Sequence, residues 1–164
     1  MPIAAFGDSG YKIALFLHIL AVVLAFGPTF GYGLFFSVAP QYPRAVPAIL
    51  AGVQRCDRYL VNPGMIILLL AGIYLMAASD SVWDGSDAFI VVGFIAIIGL
   101  FGLQHAFFQP QVRKAKEIVE RDLESGDTLS PEFEALSQRI GQVGTLAGLT
   151  VVVTVFFMTY KPFM

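Results

Sequence analysis

Two histidines and two methionines are the residues of this chain best suited to chemistry inside an apolar surrounding. His18 lies within residues 13–26, a stretch that is otherwise entirely apolar. An ionisable side chain at that depth is costly unless something engages it, so His18 is the leading candidate for a functional residue. On a helix it shares a face with Ala14, Ala21, Ala25 and Thr29, whereas Phe16, Leu20 and Leu24 fall on another side. Small residues around one polar ring predict a face turned toward other helices, with room left beside it. Met76 and Met158 sit near the same end of their own apolar stretches and could reach the same cavity. Imidazole and thioether both serve as axial ligands of heme iron, and thioethers also favour Cu(I).

The second histidine belongs at a different depth. At about 1.5 Å of rise per residue, His18 lies roughly 8 Å below one membrane surface and His105 roughly 24 Å below it. Axial ligands flank one iron at similar depth, so a single heme cannot use both. His105 is expected to be an interfacial, hydrogen-bonded residue. A separate inner site would draw on it together with Arg58 or Asp57.

The elements that must position these residues are legible in composition. The chain has 164 residues, 57% of them hydrophobic and only 13% charged, with a mean hydropathy of +0.74. That balance defines an integral membrane protein in contact with the lipid bilayer. A helix needs roughly 20 apolar residues to cross about 30 Å of hydrocarbon. Four stretches qualify, at residues 11–39, 59–79, 88–108 and 140–160. The first is too long for a signal peptide and is expected to be retained.

The fold class is therefore all-α, a four-helix membrane bundle within one transmembrane domain spanning residues 1–164. Eight of the ten basic residues fall in the two loops that follow the first and third spans. The remaining two, Lys12 and Lys161, flank the termini, and the connector around residues 80–87 is acidic, with Asp80, Asp84 and Asp87. The bias predicts that both termini face the outer side. Residues 45–58 suit an interfacial helix leading into the second span, with a kink at Pro63. Residues 112–124 form a charged helix in the cytoplasmic extension between the third and fourth spans, with Val112, Ala115, Val119 and Leu123 as its apolar stripe. Ser130-Pro131-Glu132 reads as the cap of a last helix that starts before the bilayer. Gly27-Pro28 predicts a bend in the first helix, and Gly99, Gly102, Gly141, Gly144 and Gly148 are candidates for close helix packing.

Several functions find no support. The chain carries no phosphate-binding loop, dinucleotide fingerprint, zinc-protease motif or nucleophile elbow. Acidic residues fall outside all four apolar stretches, which disfavours a carrier driven through intramembrane carboxylates. Basic residues are sparse and mixed with acids, so no nucleic acid partner is indicated. Lone Cys56 allows no disulfide framework.

Short motifs then occur in a recognisable order: His18-Ile19-Leu20, Arg58-Tyr59-Leu60 with Pro63-Gly64-Met65, Trp83, His105, and terminal Lys161-Pro162-Phe163. In these the chain resembles the superfamily of small four-helix membrane proteins that includes heme-containing protoporphyrinogen oxidases and copper-resistance D-like proteins, and within it the DUF2269-type branch. The resemblance implies heme b, with His18 as the first-helix ligand, and a membrane oxidoreductase in the bacterial inner membrane. Lys12 and Lys161 would then pair with the heme propionates. The oxidase branch has a lysine early in its third span, whereas Asp87-Ala88-Phe89-Ile90-Val91 contains none. Three readings are carried forward. One is a heme b protein with a redox or electron-transfer role and a membrane redox partner. The second is a copper-binding or copper-transport protein using His18 with Met76 or Met158, and the third a non-catalytic assembly subunit that binds membrane helices or its own copies.

Overall fold

The computed structural model describes residues 8–79 and 82–161. Asp80, Pro162 and Phe163 lie outside them. All regular elements among the described residues are helical. Helix α1 spans Ser9–Val38 and is capped by Asp8, whose carboxylate accepts the backbone N–H groups of Gly10 and Tyr11. It continues unbroken through Pro28, one residue before Thr29, whose hydroxyl donates to the Phe26 carbonyl at 2.7 Å. Two short 3₁₀ turns lead to α2, Val46–Cys56. A π turn at Asp57–Val61 joins α2 to α3, Asn62–Ala77. Helix α4 spans Ala88–Leu103, and a second π turn at Gln104–Phe108 joins it to α5, Gln109–Ser125. Helix α6 runs from Pro131 to Tyr160, with the Ser130 hydroxyl accepting from the Phe133 N–H as its cap.

Four of the helical stretches are long and apolar enough to cross a membrane. Only 11–33% of the apolar stretch of each is buried inside the protein. Ile13, Phe16 and Leu34 of α1 are 60%, 61% and 72% exposed. In water such a belt would drive aggregation, and in a bilayer it is simply the lipid-facing surface.

The two hydrophobic cores differ in kind. At the end of the bundle away from the termini, Val46, Leu50 and Val53 of α2 meet Val112, Ile118 and Val119 of α5 and Phe133, Leu136 and Ile140 of α6. These amphipathic helices bury large aliphatic side chains, as a water-soluble bundle does. Val112, Ala115 and Val119 are buried as the sequence stripe predicts, and Leu123 packs partly buried against them. The second core lies among the spans and uses Ala21, Ala25 and Phe26 of α1 with Val61, Met65 and Leu68 around α3. Here small residues let backbones approach, because lipid supplies no hydrophobic drive between helices.

Helix α1 packs most extensively on α3, and α4 on α6. The closest approach of α1 to α3 runs through Gly64, where a Cβ would stand 2.8 Å from the Ala25 backbone nitrogen. This corrects the packing expectation. Gly99, Gly102, Gly141 and Gly144 face open space, and of the five glycines expected to support close packing only Gly148 meets a neighbour, the Phe30 ring. Periodicity marks which positions are small, but not which of them meet a neighbour.

The mixed charges of the α5 region lie at the surface, in exposed pairs such as Arg44 with Asp127 at 2.8 Å and Lys116 with Glu120 at 3.6 Å. Such pairs contribute little. Asp122 is different, because it is buried and its carboxylate accepts the Ser130 backbone N–H at 2.8 Å, tying α5 to the start of α6. Asp122→Ala leaves that donor without its partner and is expected to lower stability. Denaturant unfolding of the protein in detergent measures it, and an unchanged midpoint would remove this role from Asp122.

Candidate functional site

The small-residue face of α1 turns inward: Ala14, Ala21 and Ala25 are buried, while Phe16 and Leu20 are exposed. His18, on that face, lies against α3. A Cβ on Gly72 would stand 3.3 Å from the His18 Cε1 and 3.6 Å from its Nδ1, so the glycine makes the space the imidazole fills. The Leu68 carbonyl, one turn earlier on α3, interacts with the ring. No hydrogen bond of normal geometry reaches Nδ1, which is sealed from solvent. Nδ1 thus lies against α3.

That space is an apolar cavity of about 520 Å³ between the α1–α3 and α4–α6 pairs, lined by His18 together with Gly72, Met76, Gly93, Met158 and Lys161. Its size falls in the range of about 300–1,000 Å³ in which organic ligands and cofactors are enclosed. Four residues singled out from sequence therefore come together: His18, Met76, Met158 and Lys161. Lys12 does not line the cavity and is exposed at the start of α1.

Met158 packs its methyl group into the hollow left by the missing side chain of Gly93. The Met76 sulfur lies 3.8 Å from the Cβ position of Gly85, in the loop before α4. Both methionines have packing roles and line the cavity. Lys161 ends α6 in a left-handed conformation, φ 47°, that donates its backbone N–H to the Phe157 carbonyl. Its ammonium sits 3.7 Å from the centre of the Trp83 ring and 5.2 Å from that of Phe89. Burial lowers its pKa below the usual lysine value, and nearby Asp87 opposes that shift. Ser79, fully buried, fixes this rim by accepting the Trp83 N–H at 3.2 Å.

His105 lines no cavity described here. It is exposed, with Nδ1 3.0 Å from the Phe101 carbonyl and its ring tilted on the Phe101 ring at 4.4 Å between centroids. The interfacial, hydrogen-bonded expectation describes it. Among the described residues no group of three or more His, Cys, Asp or Glu could hold a metal ion. Heme ligation through a single imidazole does not require such a group.

Sequence reasoning missed a polar cluster farther along the bundle. Asp57 is buried at 6% exposure and accepts the Tyr32 hydroxyl at 3.0 Å, and Gln104, 5% exposed, approaches the same carboxylate. The expectation of an inner site built on His105 is corrected accordingly, since Asp57 faces Tyr32 and Gln104. Both π turns begin at these residues, and each precedes a proline by the same spacing: Asp57 with Pro63, and Gln104 with Pro110. A proline has no N–H for the carbonyl four residues back. In each case the residue before it donates instead to the carbonyl five back, Asn62 to Asp57 and Gln109 to Gln104. The shared polar residue six before a proline was the readable signal.

Four apolar helices of membrane-crossing length, packed around an inward histidine and an apolar cavity, define an integral membrane protein. The family described as "Predicted integral membrane protein (DUF2269)" matches residues 12–162, and the chain belongs to that family. No curated protein and no solved structure matches it.

Proposed function

We propose that this membrane protein binds heme b in the His18 cavity, where the His18 imidazole would hold the iron, in a redox or electron-transfer role. The observation that carries the proposal is the state of the imidazole. Its Nδ1 is sealed against α3 without a regular hydrogen bond, yet the ring borders a cavity of about 520 Å³. A histidine that ligates iron through one nitrogen commonly directs its other N–H at a backbone carbonyl, which fixes the tautomer and strengthens the ligand. The Leu68 carbonyl, which interacts with the ring, would take that part for His18. The rest of the lining suits a flat, largely apolar macrocycle: aliphatic and aromatic walls, the Met76 and Met158 thioethers, and one ammonium, Lys161, at the rim to meet a carboxylate.

Bound heme would supply a one-electron couple. The chain's own residues hold it, keep water out and set its orientation. His18 anchors, Gly72 leaves the ring its place, and Trp83 with Lys161 closes the rim. The bacterial inner membrane is the setting the proposal assigns.

Titration of purified heme-free protein with hemin tests the fit. Uptake is expected to saturate near one equivalent, and Gly72→Val, which drives a branched side chain into the imidazole, is expected to weaken it at least tenfold. Uptake no greater than that of empty micelles would contradict the proposal.

A further inference from the structure

The Asp57–Gln104 cluster borders a second cavity, of about 590 Å³, stacked on the first along the bundle axis. Phe26, Leu100 and Val151 line both and form the partition. We infer that this second cavity is a binding site for the head group of a lipid-soluble quinone or quinol, received between Asp57, Gln104 and Ser137.

The hydrogen-bonding groups set the ligand's chemistry. Gln104 and Ser137 both line the cavity, and neither Gln104 Nε2 nor Ser137 Oγ, both buried, has a hydrogen bond of normal geometry, the Gln104 amide leaning toward the Asp57 carboxylate. Buried donors without a full hydrogen bond are costly, so they mark where an acceptor belongs. Asp57 is the opposite kind of group, a buried carboxylate with one oxygen held by the Tyr32 hydroxyl. No lysine or arginine lines the cavity among the described residues. The ligand must therefore offer an acceptor to the amide and hydroxyl, and a donor to the carboxylate. A quinone carbonyl is such an acceptor, and the quinol hydroxyl is acceptor and donor at once. An organic cation offers donors alone and would leave the Gln104 amide unpaired.

The walls indicate how such a ligand arrives. Phe30, Leu149 and Val152 border the cavity and are each more than half exposed on the lipid-facing surface. Opposite Phe30, the lining glycines Gly141 and Gly144 have nothing within 4 Å of a Cβ position, so the α6 wall is bare backbone there. The entrance thus faces the bilayer between α1 and α6, and a hydrophobic tail can stay in lipid while the head enters. Each π turn begins at one of the two polar residues that line this space, Asp57 and Gln104, a placement of π turns that recurs at functional sites.

Equilibrium dialysis of decylubiquinone, oxidised and reduced, against the full-length protein in detergent micelles tests this. Saturable binding above empty micelles is expected, with Gln104→Leu at least tenfold weaker. Asp57→Asn is expected to weaken the quinol more than the quinone. Gly144→Leu points a side chain into the cavity from a position free of packing contacts, and is expected to abolish binding in a protein of unchanged helix content. Absence of saturable binding would overturn the inference. So would Gln104→Leu and Gly144→Leu proteins that bind like the wild type, or saturable binding of dodecyltrimethylammonium with none of decylubiquinone. The inference stands independently of heme at His18, because dialysis is read on the quinone alone and heme content separately.

Discussion

Gly64→Val is expected to separate α1 from α3 and leave little folded protein in the membrane. At this position a Cβ would lie 2.8 Å from the Ala25 nitrogen and 3.1 Å from both the Ala25 Cα and Cβ. The obstruction is backbone, so no rotamer change relieves it and the helices themselves must move. Overpacking a close contact typically costs about 1–3 kcal/mol, and a backbone clash in the most extensive helix pair belongs at or above the upper end. Even Gly64→Ala meets the obstruction. Gly27→Ala, on α1 with no atom within 4 Å of its Cβ position, is the control and is expected to leave stability unchanged or slightly raised. Thermal unfolding in detergent, followed by helix content, reads the series. A Gly64→Ala protein as stable as wild type would mean that α1 and α3 do not approach as described.

His18→Ala is expected to lower bound heme per protein at least tenfold. The substitution removes the imidazole without touching the α1–α3 contact at Gly64, so the fold should persist while the ligand is lost. His18→Gly leaves a space of imidazole shape beside Gly72 and Leu68, and free imidazole is expected to restore part of the binding. His105→Ala should be silent, because that ring is exposed and bonded only to its own helix at Phe101. Equal heme loss in both histidine variants would indicate a general loss of folding and would remove the special role given to His18.

Much of this arrangement was readable from the residues. The four spans follow from apolar length, and the inward face of α1 from Ala14, Ala21 and Ala25 around His18. The Ser130 cap and the α5 stripe follow from local chemistry that tertiary packing leaves intact. Convergence of His18, Met76, Met158 and Lys161 on one cavity was foreseeable because they share one end of the bundle. Depth is a one-dimensional quantity that sequence preserves.

What the sequence concealed depends on azimuth. Gly64 and Gly99 are equally small, and only the rotation of each helix decides that one meets Ala25 and the other meets nothing. Asp57 was named from sequence only as a companion for His105. It continues the buried face of Val46, Leu50 and Val53 and turns its carboxylate inward to Tyr32. Gln104 likewise continues the buried face of Gly93 and Ile97, so two polar residues at the ends of apolar stripes meet in a site that no single apolar stretch announces.

The most direct measurement is the absorption spectrum of the protein purified from heme-replete cells, set against its measured protein concentration. The account predicts a Soret band corresponding to about one heme per chain, present in the wild type and absent from His18→Ala. A wild-type protein that is folded, helical and free of any Soret band would contradict it.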